Sequence, residues 1–256
     1  MKIIFDFGAN AGQNIEYYLN NSDLVVAVEA NPELAKKINI DFKEYILNNK
    51  LIVFNKCLVN NKIENKVAFY LNRRDSGLSS FIKPNYNEND FDIILVEPIT
   101  YEEIINIVGK PYYVKIDLEG LDEIILKSIL DSGIIPNYLS FENGVSYTKR
   151  ILRDYNVFKS YNIVAFYNYK KVYGKIEGKT AGPFGADIKS PWLNKDSILK
   201  LINKMPTTWF DIHLCTDELD YGKIDFNYYQ KDFNLVLAIK QAIPNGIRKI
   251  LIKYLK

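Results

Sequence analysis

The first 30 or so residues carry the pattern that most limits the fold of this chain. An apolar segment at 3–7 leads into a turn with glycines at Gly8 and Gly12, and a second apolar segment at 25–28 ends at Glu29. A short helical pattern lies between them. Strand, glycine turn, helix and strand in this order begin a βαβ unit, whose parallel strands need helices on both faces of the sheet. The sequence therefore predicts a doubly wound, mostly parallel α/β sheet.

Alternating strand and helix patterns extend this prediction to about residue 166. Asn31 and Pro32 begin the second helix, which we expect to run from Glu33 to about Leu47. The alternating segment 67–71 indicates an antiparallel β-hairpin inserted beside the parallel sheet. The other predicted elements are strands at 51–59, 93–96, 112–117, 137–142, 210–216 and 234–240, and helices at 101–108, 123–130, 192–204 and 246–256.

The pattern changes after about Ile176, where a loop containing Gly and Pro replaces the regular alternation. We expect residues 1–176 to form a ligand-binding core and residues 177–256 to form a C-terminal extension. A chain of 256 residues with 48% hydrophobic content can bury one large core, so both parts are expected in one compact domain. The extension ends in a basic amphipathic helix at 246–256.

Composition narrows the function classes. A net charge of +2 gives no general attraction for nucleic acid, so we expect no nucleic-acid partner. Cys57 and Cys215 make no disulfide framework. Residues 1–7 already have a strand pattern and no apolar run reaches the length of a membrane span, so we expect no signal peptide and a cytoplasmic location. The helix at 246–256 suits peripheral contact with an anionic membrane, or packing of its apolar stripe on the protein.

The turn after the first strand points to the type of cofactor. It has the order Asp6-x-Gly8-x-Asn10-x-Gly12, whereas a dinucleotide site needs a bare helix N-terminus against the pyrophosphate. S-adenosylmethionine has no phosphate and carries an ammonium and a sulfonium, which an acid such as Asp6 can face. Glu29 follows about 20 residues later, where an acid can accept both ribose hydroxyls. The residues therefore favour S-adenosylmethionine.

A second group of acids follows a later strand. Asp117, Glu119 and Asp122 come directly after the strand at 112–117, and Glu142 ends the next strand. Parallel strands place their carboxyl ends at one edge of the sheet, where doubly wound folds bind ligands. A buried strand that ends in an acid needs a partner for that charge, so we expect Asp117 to face a ligand or a catalytic partner. Asp122 can instead cap the following helix.

Three segments together resemble one known family. The Asp-x-Gly-Ala-Asn-x-Gly-Gln turn at 6–13, the Val-Glu-Ala-Asn-Pro step at 28–32 and the Lys-Ile-Asp-x-Glu-Gly strand end at 115–120 are similar to the FkbM family of S-adenosylmethionine-dependent methyltransferases. The similarity extends over roughly residues 3–166. It implies a Rossmann-like class I methyltransferase fold and O-methyl transfer to a hydroxyl of a sugar or glycan, such as a cell-surface polysaccharide or its precursor.

The resemblance also implies roles for individual positions. Gly8, Asn10, Gly12 and Gln13 would line the methionine part of the cofactor, Glu29 with Ala30 would hold the ribose, and Cys57 and Leu58 would lie near the adenine. Asp117 and Glu119 would border the transfer site, together with Glu142 on the same rim. Ser79 and Ser80 match paired serines of the family and would contact the acceptor. The chain has Pro98-Ile99-Thr100 where relatives usually show Thr-Leu-Asp, so acceptor recognition is expected to come from loops after Ile176.

Methyl transfer to a sugar hydroxyl calls for a general base within hydrogen-bond reach of that hydroxyl. Asp117 is the first candidate. His213 is the second because its ordinary pKa suits proton removal at neutral pH, although it lies in an alternating strand where a structural histidine is the alternative. A divalent ion held by Asp117, Glu119 and Glu142 is a further alternative, which the sequence does not favour.

Aromatic side chains can pack on the apolar faces of sugars, and Phe184 and Trp192 lie in a loop flanked by Gly and Pro. We expect these two to contact the acceptor, with ordinary core packing as the alternative. Two other functions stay open at this point. One is an NAD-dependent sugar-modifying oxidoreductase, which Glu29 alone would allow, and the other is a carbohydrate-binding module with a vestigial cofactor site.

Overall fold

The computed structural model describes most of the chain, including the three segments at 6–13, 28–32 and 115–120 that resemble the family. The described residues are 1–83, 88–144, 147–165, 183–188, 190–204 and 210–222. The predicted strand at 234–240 and the predicted helix at 246–256 lie outside these ranges, and the membrane contact proposed for that helix stays a prediction. None of the helices in the described ranges is long and apolar enough to cross a bilayer.

A seven-stranded sheet forms the centre of the described part of the chain, in the order β10-β11-β9-β8-β1-β2-β3. Neighbouring strands are parallel except at β11, which runs antiparallel to both β9 and β10. This is the doubly wound, mostly parallel sheet that the sequence predicts. The strands are β1 (Ile3–Phe7), β2 (Leu24–Val28), β3 (Leu51–Phe54), β4 (Cys57–Val59), β5 (Val67–Asn72), β6 (Phe91–Val96), β7 (Pro98–Thr100), β8 (Tyr113–Ile116), β9 (Tyr138–Glu142), β10 (Ser160–Ala165) and β11 (Phe210–Cys215).

Helices follow the strands and cover both faces of the sheet. Their starts show the expected capping, since Asn31 accepts a hydrogen bond from the Glu33 amide and Thr100 forms a capping box with Glu103. The helices are α1 (Ile15–Asn20), α2 (Pro32–Asp41), α3 (Lys43–Leu47), α4 (Tyr101–Val108), α5 (Asp122–Asp131), α6 (Thr148–Asp154) and α7 (Lys195–Lys204).

Two predicted elements are each divided in the structure. The single helix expected to Leu47 is broken at Phe42, whose ring packs so close to Gly12 that a Cβ there would lie 3.1 Å from it. The single strand expected at 51–59 is broken after Phe54, because β4 leaves the main sheet and pairs with β7. At that break the Asn55 amide donates hydrogen bonds to the carbonyls of Glu29 and Ala30.

The predicted hairpin is confirmed as the antiparallel pair β5 and β6, which forms a separate two-stranded sheet. The loop between these strands turns back on β5, where Tyr70 and Ser80 exchange two backbone hydrogen bonds. This returning loop, residues 75–82, is called the hairpin loop below. It reaches over the ends of the parallel strands, as its contacts with Asn10 and Glu119 show.

The two faces of the main sheet differ in polarity. One face is an aliphatic and aromatic core in which the Tyr101 ring meets the Phe5 and Phe7 rings edge to face. The other face carries buried polar side chains from the middle of neighbouring strands. The strand register places them in one row: Asp6, Lys115, Ser140, His213 and Asn162.

The strand order reverses between β1 and β8, because β1 continues outward to β2 and β8 continues outward to β9. In open α/β sheets this reversal opens a crevice at the carboxyl ends of the strands. That edge, where Phe7, Val28, Ile116 and Glu142 end their strands, is called the carboxyl edge below.

We predict that Gly8→Ala destabilises the protein by about 3 kcal/mol or more. Gly8 has φ +81°, and a Cβ built there would lie 1.9 Å from the Asp117 carbonyl oxygen. Because that oxygen is backbone, the strands β1 and β8 would have to separate. Chemical denaturation of both proteins measures the change in the free energy of unfolding.

Gly133→Ala is the matched control for this measurement. Gly133 also has a positive φ, +71°, but a Cβ there would meet nothing within 4 Å. Its substitution should cost only the backbone strain of about 1–2 kcal/mol. Equal destabilisation by the two variants would contradict the close approach of β1 to the residue after β8.

Candidate active site

The turn after β1 has a backbone that only certain residues adopt easily. Gly8, Asn10 and Gly12 all have positive φ, at +81°, +50° and +80°. The amides of Gly8 and Ala9 both donate to the Val28 carbonyl, which fixes the turn against the end of β2. The alternation of these residues in the sequence thus reflects the path of the turn at the carboxyl edge.

Glu29 joins this turn to the start of α2. One of its carboxylate oxygens accepts a hydrogen bond from the Asn10 amide at 2.7 Å, and the other accepts from the Asn31 amide at 2.8 Å. Burial raises the pKa of Glu29 to about 7, and these two hydrogen bonds oppose that rise. Each carboxylate oxygen has two acceptor positions, so both retain one for a ligand hydroxyl.

The residues expected around an adenosine lie on both sides of Glu29. Cys57 packs with Ala30 in one buried cluster, and burial together with the Glu29 carboxylate raises the pKa of the Cys57 thiol to about 12. Leu58 faces the main core instead, and the Gln13 side chain is exposed. The structure therefore brings Ala30, Cys57 and Glu29 together, while Leu58 lies on the opposite side of β4.

The chemical groups at the carboxyl edge match groups of S-adenosylmethionine. The diol of a ribose matches the remaining acceptor positions on Glu29. The glycines shape the turn itself, because a Cβ at Gly8 would meet the Asp117 carbonyl and one at Gly12 would meet the Phe42 ring. Asp6, which the sequence assigns to the ligand's ammonium, is fully buried beneath the turn. It therefore acts on a ligand through its charge rather than by direct contact.

Lys115 is a buried cation among carboxylates. Its Nζ lies 2.6 Å from Asp117 Oδ2, and its strand position is directly opposite Asp6 on β1 and Ser140 on β9. Burial lowers the pKa of Lys115, but the carboxylates of Asp117, Asp6 and Asp211 outweigh this effect and hold the pKa above its ordinary value. Lys115 is therefore an ammonium ion at every pH near neutrality.

Asp6 and Asp211 lie on either side of this ammonium. Burial raises the pKa of Asp6 to about 6 and that of Asp211 to about 8, while Lys115 opposes both shifts. The oxygens of Asp6 accept no hydrogen bond of normal geometry from the described residues, although the nearby Asn14 side chain also lowers its pKa. One ammonium thus faces more carboxylate charge than it can neutralise.

Glu119 and Glu142 extend the acidic group along the carboxyl edge. Glu119 is exposed and Glu142 is half-buried; partial desolvation, together with the nearby Asp117 carboxylate, raises the pKa of Glu119 to about 8 and that of Glu142 to about 7. Asp122 is the first residue of α5 rather than its cap, and its carboxylate accepts a hydrogen bond from the Leu118 amide. In the described ranges no group of three His, Cys, Asp or Glu side chains is placed to hold a metal ion. The three acids considered from the sequence, Asp117, Glu119 and Glu142, therefore do not form such a group.

Ser79 and Ser80 fix the hairpin loop over this edge. The Ser80 hydroxyl donates to the Glu119 carbonyl at 2.6 Å and accepts from the Ile82 amide, and the Ser79 hydroxyl accepts from the Asn72 amide. The sequence assigns both serines to the acceptor. In the structure the Ser80 hydroxyl joins the hairpin loop to the segment after β8, and the Ser79 hydroxyl joins the loop to the end of β5.

His213 lies in the middle of β11, opposite Ser140 and Asn162, and is buried. Burial and, to a smaller extent, the Lys115 charge together lower the pKa of His213 to about 3. The side chain is therefore neutral at physiological pH and weakly basic. Its role as a second general base stays a prediction that this placement does not favour.

Phe184 and Trp192 lie far from the carboxyl edge, and their placement corrects the expectation that they contact the acceptor. The Phe184 ring stacks on Tyr113 at 4.2 Å between centroids, and the Trp192 ring packs against Tyr138. Tyr113 and Tyr138 are the first residues of β8 and β9. Tyr113 precedes Asp117 by four residues, which is about 13 Å along a strand. Both rings belong to the core, the alternative that the sequence left open.

Two residues of the site were not assigned to it from the sequence. Lys115 stands two residues before Asp117, the spacing that puts both side chains on one face of a strand. Asp211 reaches the site only because β11 is antiparallel, so that the start of this strand lies beside Glu142 at the end of β9. Strand periodicity can therefore identify Lys115, but it cannot identify Asp211 because it does not give the direction of β11.

Comparison with known proteins shows the family to which the chain belongs. A family model described as the methyltransferase FkbM domain matches residues 6–151, more than half of the chain. No curated protein shows significant sequence similarity to the chain.

Several solved structures are similar to the chain at low identity. A methyltransferase FkbM from Methylobacillus flagellatus KT is 17% identical, with 55% of this chain and 32% of that chain covered and a TM-score of 0.34. A precorrin-6y C5,15-methyltransferase from Geobacter metallireducens GS-15 is 13% identical, with coverage of 83% and 79% and a TM-score of 0.38. An rRNA methylase from Streptococcus thermophilus is 10% identical, with coverage of 84% and 86% and a TM-score of 0.39. The chain thus spans about a third of the length of the first of these proteins.

The buried carboxylates predict an unusual pH dependence of stability. The pKa values of Asp6, Glu29 and Asp211 are about 6, 7 and 8 in the folded chain, above their ordinary values of 3.8, 4.5 and 3.8. The folded state therefore holds protons that the unfolded state releases, and stability is lost as the pH rises through these values. Without ligand, the melting temperature should be higher at pH 6.5 than at pH 8.5 by about 5 °C.

The variant Asp211→Asn should reduce this difference, because it removes a fully buried carboxyl whose pKa of about 8 lies within the tested range. The lowered pKa of His213 acts in the opposite direction, but most of that effect falls below pH 6.5, and only about 0.4 kcal/mol remains between pH 6.5 and pH 8.5. A melting temperature that is equal at both pH values, or higher at pH 8.5, would contradict the burial of these carboxylates.

Proposed function

The chain belongs to the FkbM family of methyltransferases, and on that basis we propose that it transfers a methyl group from S-adenosylmethionine to a hydroxyl of a sugar or glycan. The family supports the methyltransferase activity and its cofactor. The choice of a hydroxyl acceptor is supported above all by one feature of the site, the partly exposed Asp117 carboxylate that Lys115 holds at the carboxyl edge. The NAD-dependent and non-catalytic alternatives lack comparable support.

The residues that would hold the cofactor are those around the turn and Glu29. Glu29 would accept the ribose hydroxyls, the turn from Gly8 to Gly12 would lie along the methionine part, and Ala30 with Cys57 would border the adenine. When bound, S-adenosylmethionine supplies an electrophilic methyl group on a positively charged sulfur. The carboxylates along the carboxyl edge would stabilise that positive charge.

Asp117 is suited to accept the proton of the reacting hydroxyl. Its Oδ2 accepts from Lys115 Nζ, while its Oδ1 accepts no hydrogen bond from the described residues. The side chain is 42% exposed, so a substrate can reach it. Lys115 keeps the carboxylate in one orientation, which is the positioning that a general base requires.

The acidic character of the edge also supports a sugar as acceptor. Carboxyl oxygens accept hydrogen bonds in either protonation state, and a sugar offers several hydroxyl donors. Asp117, Glu119 and Glu142 are therefore chemically complementary to a polyhydroxylated substrate. We propose that Glu119 and Glu142 bind hydroxyls next to the one that reacts.

The variant Glu29→Ala should bind S-adenosylhomocysteine at least about 30-fold more weakly than the wild type. It removes the acceptor of the ribose diol and leaves the amides of Asn10 and Asn31 without their partner. Isothermal calorimetry measures the affinity, and Glu44→Gln in the exposed α3 is the control with wild-type binding. Unchanged affinity in Glu29→Ala would contradict the ribose assignment.

The variant Asp117→Asn should retain affinity for S-adenosylhomocysteine within a few-fold and lose about 10²–10⁴-fold in turnover. The amide keeps the size of the side chain but cannot take up a proton. The assay follows transfer of radiolabelled methyl from S-adenosylmethionine to a panel of sugars and polysaccharide fractions. If the variant methylates an acceptor at a rate near that of the wild type, Asp117 is not the general base.

A further inference from the structure

We propose that Glu119 and Glu142 make this site discriminate by charge between the sulfonium of S-adenosylmethionine and the neutral thioether of S-adenosylhomocysteine. The inference rests on the proposed cofactor but not on the identity of the acceptor. It concerns a specificity that the transfer reaction itself does not require. The two ligands differ only in the methyl group and the charge on sulfur.

Both glutamates are held at the carboxyl edge by backbone contacts that leave their carboxylates available. The Glu119 carbonyl accepts from the Ser80 hydroxyl, and the Glu142 carbonyl accepts from the Tyr147 hydroxyl at 2.8 Å. Neither carboxylate forms an ion pair with any residue in the described ranges of the chain. Within the part of the chain that the structure describes, they are therefore acids without a counter-ion, at the edge where the ligand is proposed to bind.

The charged groups that face these glutamates are almost all negative. Asp117 faces both from the end of β8, Asp122 faces both from the start of α5, and Asp75 faces Glu119 from the hairpin loop. Glu142 also acts on Glu119, and Asp211 of β11 lies in register with Glu142. Among the described residues, the one cation that acts on Glu142 is Lys115, which is already paired with Asp117.

Asp6 provides a separate indication that a positive charge is missing. It is 0% exposed, lies on the same face as Lys115, and its two carboxylate oxygens have no hydrogen-bond partner of normal geometry in the described ranges. Burying a carboxylate without partners is costly unless a cation offsets it. Lys115 offsets part of this charge, and a cationic ligand at the edge above would offset more.

The protonation of the two glutamates then links charge to ligand choice. Their pKa values of about 8 for Glu119 and about 7 for Glu142 mean that both become ionised only as the pH rises past neutrality. A bound sulfonium lowers these pKa values, because it favours the ionised form, whereas a neutral thioether does not. Binding of S-adenosylmethionine near pH 7.5 should therefore release protons from these glutamates, and binding of the product should not.

The test compares the two ligands across pH by isothermal calorimetry. Both carry the same amine, carboxylate and adenosine, so the ratio of their affinities isolates the effect of charge on sulfur. For the wild-type protein the preference for S-adenosylmethionine should increase by about tenfold from pH 6 to pH 9. Repetition in buffers with different ionisation enthalpies counts the protons released with each ligand.

The variants Glu119→Gln and Glu142→Gln should each weaken this pH dependence, and the double variant should abolish it. Both changes conserve size at side chains that are not fully buried, and circular dichroism checks that the variants fold. Glu44→Gln, which lies in α3 before β3, is the control that should retain the full pH dependence.

The outcomes separate this inference from the cofactor assignment. An affinity ratio that stays constant from pH 6 to pH 9, or equal proton release with the two ligands, would overturn the inference while leaving the cofactor assignment in place. A full pH dependence in the double variant would also overturn it. If neither ligand binds the wild-type protein at any pH, the cofactor assignment fails and this inference fails with it.

Discussion

The buried ammonium of Lys115 is the interaction on which the rest of the site depends. It lies in the central strand β8, opposite Asp6 on β1, in contact with Asp117 and close to Asp211 of β11. A buried ammonium is costly unless carboxylates surround it, and buried carboxylates are costly unless a cation lies among them. Each therefore makes the other tolerable, and together they gather charged side chains from β1, β8 and β11 near the carboxyl edge.

The geometry of the sheet explains why this charge collects where a ligand can use it. The close approach of Gly8 to the Asp117 carbonyl brings the turn after β1 against the segment after β8. Glu29 then ties that turn to the start of α2 through the Asn10 and Asn31 amides. The result is an edge where backbone amides are already bound and carboxylates remain in excess, which favours a cationic donor over a phosphate-bearing one.

The sequence contains the local parts of this arrangement more clearly than the long-range ones. Glycine spacing and strand periodicity predict the turn, the parallel sheet, the hairpin, and the positions of Glu29 and Asp117. The role of Asp211 depends on the insertion of an antiparallel strand between β9 and β10, which no local pattern specifies. The expected contact of Phe184 with the acceptor is wrong for a related reason. No local pattern in a loop flanked by Gly and Pro indicates that its ring stacks on Tyr113, the first residue of β8.

A crystal structure of the complex with S-adenosylhomocysteine is the most direct test of the central claim that this edge is a carboxylate-lined donor site. The account predicts both ribose hydroxyls within hydrogen-bond distance of the Glu29 carboxylate, and the sulfur on the side of the edge that holds Asp117 and Lys115. A ligand whose own carboxylate pairs with Lys115, or whose ribose lies away from Glu29, would contradict it.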